Sequence, residues 1–268
     1  MKRTIGERVF NVFNIILLSV IAAICFFPFL HVVARSFSSE SAITSGKVSI
    51  FPVSFNILAY KAAFLNVALI DSLKFTIILT ILGTFANLLF TVLAAYPLSK
   101  QRLIFRNGFW LFILFTMFFS GGMIPTYLVV KELKLLNTIW ALILPGVIST
   151  YNMIIMKTYF QTIPESLEES ATLDGCNDIK VLFKIVIPLS KPVIAALALF
   201  YAVGHWNQFM NALLYINDTK KYTLQLRLRQ MIPTDPSLLA LEGANQNEIP
   251  NESLKAASIM FATVPILF

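Results

Sequence analysis

Charged residues are scarce in this chain of 268 residues. Asp, Glu, Lys and Arg together make up 13% of the sequence, and 57% of the residues are hydrophobic. Soluble domains contain about 25% charged residues. The mean hydropathy is +0.75. This composition excludes a soluble globular domain and predicts a chain that lies largely in a lipid bilayer.

Cysteines and metal-ligand clusters are also scarce. Cys25 lies inside the first apolar run and Cys176 in a polar stretch, so we expect no disulfide between them. His31 and His205 are isolated from other ligand types. The net charge of +7 does not indicate nucleic acid, because the basic residues are scattered near loop ends, where they anchor membrane proteins. We expect no nucleic-acid partner and no cofactor or metal bound by this chain.

Sequence patterns of enzymes are missing as well. The chain contains no HExxH, no GxSxG and no GxxxxGK[ST] phosphate loop. No pair of aspartates lies within an apolar run, since Asp71 is at the edge of one and Asp174 lies in a polar stretch. We therefore do not expect an intramembrane enzyme or an ATPase.

Long apolar runs are the dominant feature that is present. They are continuous rather than alternating, and a length of about 20 residues spans the hydrocarbon core as a helix. We predict an all-α membrane protein with one transmembrane domain, residues 1–268. Its six helices are expected at about 12–34, 73–98, 109–130, 137–157, 192–214 and 254 to beyond 268. The last run is short for a crossing, so we expect the natural chain to continue.

Basic residues in the short connectors give the orientation. We place residues 1–10, 99–108 and 158–191 in the cytoplasm, since Lys and Arg favour that side. The first apolar run is too long for the core of a signal peptide and lacks a convincing cleavage site, so we expect a retained helix. Residues 216–253 are too polar to be embedded in the membrane.

The polar stretch between the fourth and fifth runs has a pattern of its own. Pro164 suits the first position of a helix, and Glu165, Glu168 and Glu169 complement the positive end of its dipole. Gly175 can adopt positive φ and end this helix. Such a segment is either a passive connector or a docking element.

A second short helix is predicted directly after Gly175. Asn177 can cap it, Pro188 ends it, and Ser190 can cap the next span, which Pro192 begins. Its apolar residues follow helical spacing on one face; they are Ile179, Leu182, Phe183, Val186 and Ile187.

The segment "ESATLDGCNDIKVLFKIVIP" resembles the EAA signature of permease subunits of ATP-binding-cassette (ABC) importers. The matching residues are Glu169, Ala171, Asp174, Gly175, Ile185 and Pro188. Ser170 and Cys176 stand where that family usually has Ala, and Ile187 where Leu is usual, which are small changes. In that family the segment is a coupling helix that seats in a cleft of the cytoplasmic ATPase. The resemblance implies this role for Glu169, Ser170, Ala171, Leu173, Asp174, Gly175 and Cys176.

Two further stretches, "FFSGGMIPTYLVVKELKLLNT" at 118–138 and "WNQFMNALLYI" at 206–216, look like carbohydrate permeases related to the maltose importer, and most like those serving complex oligosaccharides. The resemblance implies the type I importer fold in a bacterial cytoplasmic membrane. It implies a second, homologous permease subunit and an extracytoplasmic sugar-binding protein as partners. It also implies two copies of an ABC ATPase, and these bind the ATP and Mg.

Polar residues in the fifth run are candidates for the sugar path. Gly204, Gln208, Asn211 and Tyr215 are predicted on one helical stripe, with Asn207 one turn from Asn211. Amides at membrane depth need a partner or water. They either line a substrate pathway or form hydrogen bonds between helices.

A break in the third run is also open to two interpretations. It either exposes backbone groups to a cavity or permits close helix packing. The residues are Ser120, Gly121, Gly122 and Pro125.

Other functions remain as alternatives. One is an ABC importer permease for a non-sugar solute such as an amino acid, phosphate or a polyamine; a charged solute would favour a complementary charge inside the spans, but the spans are almost free of charge. A scaffold that only recruits a partner would not transport. We therefore predict a neutral sugar, an oligosaccharide, imported by ATP-driven alternating access.

Overall fold

Helices make up almost all of the regular structure. The structure is a computed structural model, which describes residues 5–231 and 252–267, and this part contains no strand. The helices are α1 (Ile5–Ser36), α2 (Glu40–Thr44), α3 (Leu58–Leu65), α4 (Val67–Ser99), α5 (Arg106–Phe118), α6 (Met123–Glu132), α7 (Trp140–Ile143), α8 (Thr150–Phe160), α9 (Glu165–Leu173), α10 (Asp178–Val181), α11 (Ile187–Leu189), α12 (Lys191–Trp206), α13 (Met210–Tyr215), α14 (Leu224–Met231) and α15 (Glu252–Leu267).

Three short turns complete these elements. A 3-10 turn at Leu144–Gly146 follows α7, and another lies at Thr219–Lys221. A π-helical turn at Leu182–Val186 joins α10 to α11. Much of the predicted polar connector 216–253 lies outside the described residues, as do residues 1–4 of the predicted cytoplasmic N-terminus.

Two compact units can be distinguished by their internal contacts. One contains residues 1–70 and 227–268, and the other contains residues 71–226. The single domain over 1–268 stays a prediction.

Among the described residues, two helices are long and apolar enough to cross a membrane alone. They are Phe10–Ser36 within α1 and Val67–Ser99, which is α4. Three bent pairs raise the number of candidate spans in the described residues to five. The pairs and their angles are Arg106–Phe118 with Met123–Glu132 at 111°, Trp140–Gly146 with Thr150–Phe160 at 57°, and Asp178–Leu189 with Lys191–Trp206 at 83°.

The sharpest bend lies at the predicted break in the third run. α5 ends at Phe118 and α6 begins at Met123, and Gly122 between them has φ +86°. Only glycine adopts this conformation readily. α15 has 16 residues, fewer than the roughly 20 of a full crossing.

The first unit joins α15 to α2 through polar contacts. The Glu40 carboxylate accepts hydrogen bonds from the backbone N–H groups of Glu252 and Ser253, both at 3.0 Å. It thereby caps the start of α15 from a distant part of the chain. Arg35 and Lys255 form ion pairs with Glu252 at 2.5 and 2.6 Å.

These contacts lower the pKa values of two carboxyl groups, those of Glu40 and Glu252. Burial raises the pKa of Glu40, but the hydrogen bonds from Ser253 and Glu252 outweigh it, so that the pKa lies below its ordinary value. The pKa of Glu252 is also lowered, first by the hydrogen bond from Lys255 and against the effect of burial.

The second unit has two apolar clusters. One contains Tyr96, Met156, Phe160, Val186 and Leu197. The other contains residues of α4, α7 and α13, among them Leu79, Leu142 and Tyr215. The first cluster also includes Ala171, Val181 and Leu182, so the polar stretch between the fourth and fifth predicted spans packs against it.

Buried polar side chains hold the bend between α7 and α8. Tyr201 Oη and Thr91 Oγ1 are 2.7 Å apart, and the N–H of Ser149 donates to Tyr201 Oη at 3.3 Å. Asn87 Nδ2 donates to the carbonyl of Gly146 at 3.3 Å. The break leaves backbone groups without helical hydrogen bonds, and these side chains bind them. Within a bilayer, backbone polar groups need such partners because water is absent.

α4 and α12 approach closely where Gly83 meets His205. A Cβ built on Gly83 would lie 2.4 Å from His205 Nε2. His205 is buried, and its Nε2 lies 3.4 Å from Asn87 Oδ1. A small residue at position 83 is therefore required by packing.

Candidate coupling element and substrate path

We use the name coupling element for residues 164–189. α9 begins at Glu165, and Pro164 is the residue before it, so the prediction that Pro164 occupies the first helical position is wrong by one residue. Glu165 and Glu168 lie in the first turn, where they complement the helix dipole.

The turn after α9 forms as predicted. Gly175 has φ +80°, and its N–H donates to Thr172 O at 3.0 Å, while the N–H of Cys176 donates to Ala171 O at 2.9 Å. This pair of bonds closes the helix through a left-handed residue. Asn177 Oδ1 accepts from the N–H of Lys180 at 2.9 Å, which confirms the predicted cap.

The segment after Asn177 differs from the predicted single helix. It runs from α10 through the π-helical turn into α11 and ends at Leu189, one residue beyond Pro188. Pro188 lies in the last turn of this segment, directly after the π-helical turn at Leu182–Val186. The prediction that Ser190 caps the next helix is wrong, since its side chain gives no cap hydrogen bond.

Glu168 fastens α9 to the end of α4. Its carboxylate forms an ion pair with Lys100, and the two side chains are only 13% and 14% exposed. Tyr96 Oη donates to the second oxygen of Glu168 at 3.4 Å, and the Lys100 ammonium lies 4.7 Å from the centre of the Tyr96 ring. A shielded pair with extra hydrogen bonds fixes α9 more firmly than a surface pair would.

A second ion pair joins the connector between α4 and α5, which also contains Lys100, to α10. Arg102 donates to Asp178, and this hydrogen bond, with the negative charge, raises the pKa of Arg102. Both side chains are more than 60% exposed, so the pair contributes little to stability.

A cleft of about 580 Å³ opens between this connector and α9. Basic groups line one wall and acidic groups the other. The lining residues are Lys100, Gln101, Arg102, Glu165, Glu168, Glu169, Thr172, Leu173, Asp178 and Val181.

Large apolar side chains project from the element beside this cleft. Leu173 is 89% exposed, and Ile179 and Phe183 are at least half exposed. Exposed apolar residues rimmed by charge are typical of a protein-binding surface. Contact of this element with another protein stays a prediction.

The predicted coupling residues divide into two groups. Ala171 is buried in the first apolar cluster and Cys176 is half-buried, so these two support the element from inside. The exposed group consists of Glu169, Ser170, Leu173, Asp174 and Gly175. Sequence reasoning missed Tyr96, Lys100 and Arg102, although the basic run "SKQR" was a possible signal.

The predicted stripe in the fifth run is wrong in its geometry. α12 ends at Trp206 and α13 begins at Met210, so Gly204 and Tyr215 do not share one continuous helix. The break is held by distant partners: Gln208 Nε2 donates to Leu142 O at 2.9 Å, and Thr223 Oγ1 donates to Gln208 O at 3.0 Å.

The residues of that stripe differ in their surroundings. Tyr215 is buried and its ring stacks on Tyr127 at 6.2 Å, so it packs within the protein. Gly204 and Asn207 are exposed, and Asn211 is half-buried. The Asn207 amide donates to Val203 O at 3.0 Å and accepts from Gln225 Nε2 at 3.3 Å, so a ligand would compete with these bonds. The part of Asn207 and Asn211 in a sugar path stays a prediction.

Taken together, the bent spans and the exposed residues 164–189 define a polytopic helical membrane protein with a charged, exposed element between two spans. The chain belongs to the family of binding-protein-dependent transport system inner membrane components, which matches residues 106–268. It is thus a permease subunit of an ABC importer with the type I fold that the resemblance implied, rather than an enzyme.

Relatives of this chain match it over nearly its whole length. Protein LplC of Bacillus subtilis (strain 168) is 48% identical over 268 residues, which is 100% of this chain and 91% of LplC. The polygalacturonan/rhamnogalacturonan transport system permease protein YtcP of the same organism is 44% identical over 263 residues, 97% of this chain and 92% of YtcP.

A solved structure has the same fold. It is a crystal structure of a bacterial ABC transporter involved in the import of the acidic polysaccharide alginate. One of its chains superposes with a TM-score of 0.90 at 31% identity, covering 100% of this chain and 96% of that one.

Proposed function

We propose that this permease subunit imports an oligosaccharide by ATP-driven alternating access. The names of its relatives support a carbohydrate substrate. Charged residues of the described spans lie near the helix ends, for example Lys131 in α6 and Lys157 in α8, which favours a neutral sugar. Asn207 and Asn211 are proposed to contact sugar hydroxyl groups.

The coupling element carries the rest of the proposal. Its main support is the turn at Gly175, which ends α9 next to the exposed Leu173 in the lining of the charged cleft. The ion pair of Lys100 with Glu168 holds α9 against the end of α4. We propose that two copies of a cytoplasmic ABC ATPase bind ATP and Mg, and that one of them grips this surface. The N-terminus and residues 158–191 then lie in the cytoplasm of a bacterial cell.

The other partners follow from alternating access. An extracytoplasmic sugar-binding protein delivers the ligand, and a second, homologous permease completes the membrane pathway. Closure of the ATPases moves the coupling element, and the pathway changes the side to which it opens.

An acidic oligosaccharide is a second candidate. The names of YtcP and of the alginate importer point to uronic acid polymers. For this candidate, the positive charge that an acidic ligand favours would come from the partner permease, because the described spans hold none at mid-depth.

Transport by the reconstituted complex tests both candidates. Vesicles with ATP inside and the binding protein outside are given neutral and uronic acid oligosaccharides in parallel. ATP-dependent uptake of a neutral oligosaccharide supports the main proposal, and uptake of the acidic one alone supports the second. Uptake of neither, with ATP hydrolysis stimulated by another solute, contradicts a sugar permease.

A single substitution tests the docking surface. Leu173→Asp places charge on the most exposed apolar residue of the element, so we expect loss of the co-purifying ATPase at unchanged membrane insertion. Leu65→Asp is the matched control, since Leu65 in α3 is 78% exposed. Full recruitment of the ATPase by Leu173→Asp, or equal loss in both variants, would count against the proposed surface.

A further inference from the structure

Arg106 in α5 and Lys157 in α8 stand apart from the ion pairs described above. Lys100 and Arg102 each have a carboxylate partner. Arg106 and Lys157 form no ion pair within residues 5–231 and 252–267. They therefore leave positive charge uncompensated at this end of the second unit.

The two cations are brought together by α5 and α8. Arg106 and Trp110 are four residues apart in α5 and so share one face of it. The Lys157 ammonium, from the last turn of α8, lies 3.8 Å from the centre of the Trp110 ring. Trp110 thus links the two cations, since it shares a helix face with Arg106 and contacts the Lys157 ammonium.

This arrangement is fixed before any ligand binds. Arg106 Nε donates to the carbonyl of Leu98 at 3.1 Å, which leaves the terminal nitrogens of the guanidinium for another acceptor. Phe105, the residue before α5, gives no side-chain cap, so the first turn adds its own positive potential. Both effects favour a compact anion.

The surroundings of the pair are apolar and exposed. Phe105, Phe109 and Phe112 in the same stretch of chain are each more than half exposed. Trp is enriched at the level of lipid headgroups, and basic groups between membrane helices bind anionic headgroups. A soluble anion would gain nothing from this apolar rim, whereas the acyl chains of a lipid would cover it.

We propose that Arg106, Lys157 and Trp110 bind the phosphate headgroup of an anionic phospholipid in the leaflet next to the coupling element. The phosphate oxygens accept from the guanidinium and the ammonium. The acyl chains lie along the exposed phenylalanines of α5. This site goes beyond the proposed transport function and does not depend on which sugar is imported.

Native mass spectrometry of the whole purified complex tests the site, with phosphatidylglycerol and phosphatidylcholine as the two probes. We expect wild type to retain phosphatidylglycerol in preference. The double variant R106Q/K157Q should lower that preference about fivefold for each charge removed. Lys157→Arg should retain it, and K131Q/K134Q, which removes the same charge elsewhere, should leave it unchanged.

Several outcomes would overturn the site. They are an unchanged preference in R106Q/K157Q, an equal fall in K131Q/K134Q, or displacement of the bound lipid by millimolar inorganic phosphate. Release of the partner permease by R106Q/K157Q without a change in lipid preference would identify a subunit contact instead. Uptake of sugar is measured separately, so that failure of the lipid site and failure of the transport proposal are distinguished.

Discussion

At the scale of single residues, two glycines are required for different physical reasons. Gly175 is required by its backbone, since a residue with a side chain at φ +80° loses about 1–2 kcal/mol. Gly83 is required by space, because His205 occupies the position of its missing Cβ. Substitutions at the two positions should therefore fail in different ways.

Substitution of Gly175 should act on coupling rather than on the membrane domain. No atom lies within 4 Å of a Cβ built there, so Gly175→Ala adds strain without a clash. We expect Gly175→Ala to weaken ATPase recruitment, and Gly175→Glu, which also adds charge to the proposed docking surface, to abolish it. Co-purification measures both.

Gly146→Ala is the control for this series, because its Cβ also meets nothing and its φ is not in the left-handed region. It should recruit the ATPase normally. Normal recruitment with full ATP turnover in Gly175→Glu would be incompatible with the coupling role.

Substitution of Gly83 should act on the packing of α4 against α12. Gly83→Ala forces the buried His205 ring to move, and overpacking of this kind costs about 1–3 kcal/mol. We expect a lower thermal stability in detergent. Adding His205→Ala should recover part of the loss, whereas Gly108→Ala, at an open helical position, should cause none. A Gly83→Ala protein as stable as wild type would show that the two helices are not in this contact.

At the scale of elements, local sequence patterns predicted the structural features that depend on residues close together in the sequence. The acidic first turn of α9, the glycine turn and the Asn177 cap all act within a few residues, and each was predicted from its residue type. The ion pair of Lys100 with Glu168 joins residues 68 apart. The break after Trp206 depends on Leu142, 66 residues from Gln208. Neither leaves a periodic signal in the sequence.

The ion pair of Lys100 with Glu168 should transmit movement of α9 to α4. Glu168→Ala leaves a shielded ammonium without its partner, and loss of a charged hydrogen bond costs roughly 1–3 kcal/mol. We expect ATP hydrolysis to continue while sugar uptake per ATP falls. The double variant K100A/E168A should lose less than the sum of the two single variants. Strict additivity would mean that the pair carries no coupling.

The cap of α15 should depend on pH. Because the pKa values of Glu40 and Glu252 lie below the ordinary value, their contribution is present above that value and is lost as pH falls through the lowered pKa. We expect hydrogen-exchange protection of the first turn of α15 to decrease in acid. Glu40→Gln should weaken the cap by about 1 kcal/mol at neutral pH and flatten the pH profile. Glu132→Gln is the control, and a profile in Glu40→Gln identical to wild type would contradict the cap.

At the scale of the whole molecule, the cleft limits how the chain crosses the membrane. Gln101 and Thr172 line the same cleft, so they lie on the same side of the bilayer. The number of crossings between them is therefore even. The two bent pairs in between, at 111° and 57°, either both cross or both return to the side from which they came. The apolar pattern alone predicted two crossings, at 109–130 and 137–157. It could not reveal the bends, since hydropathy does not show in which direction a helix runs.

Cysteine labelling from each side of the membrane decides between these topologies. The background carries Cys25→Ala and Cys176→Ala, the latter restoring the residue usual in the EAA signature. Gln101→Cys, Glu132→Cys and Thr172→Cys are exposed positions before, between and after the bent pairs. We expect an impermeant maleimide to label Gln101→Cys and Thr172→Cys from the cytoplasmic side and Glu132→Cys from the other. If Glu132→Cys is labelled together with the other two, α5 and α6 form a re-entrant hairpin, and the spans predicted at 109–130 and 137–157 do not cross. If Gln101→Cys and Thr172→Cys are labelled from opposite sides, the cleft and the proposed coupling surface built on it are wrong.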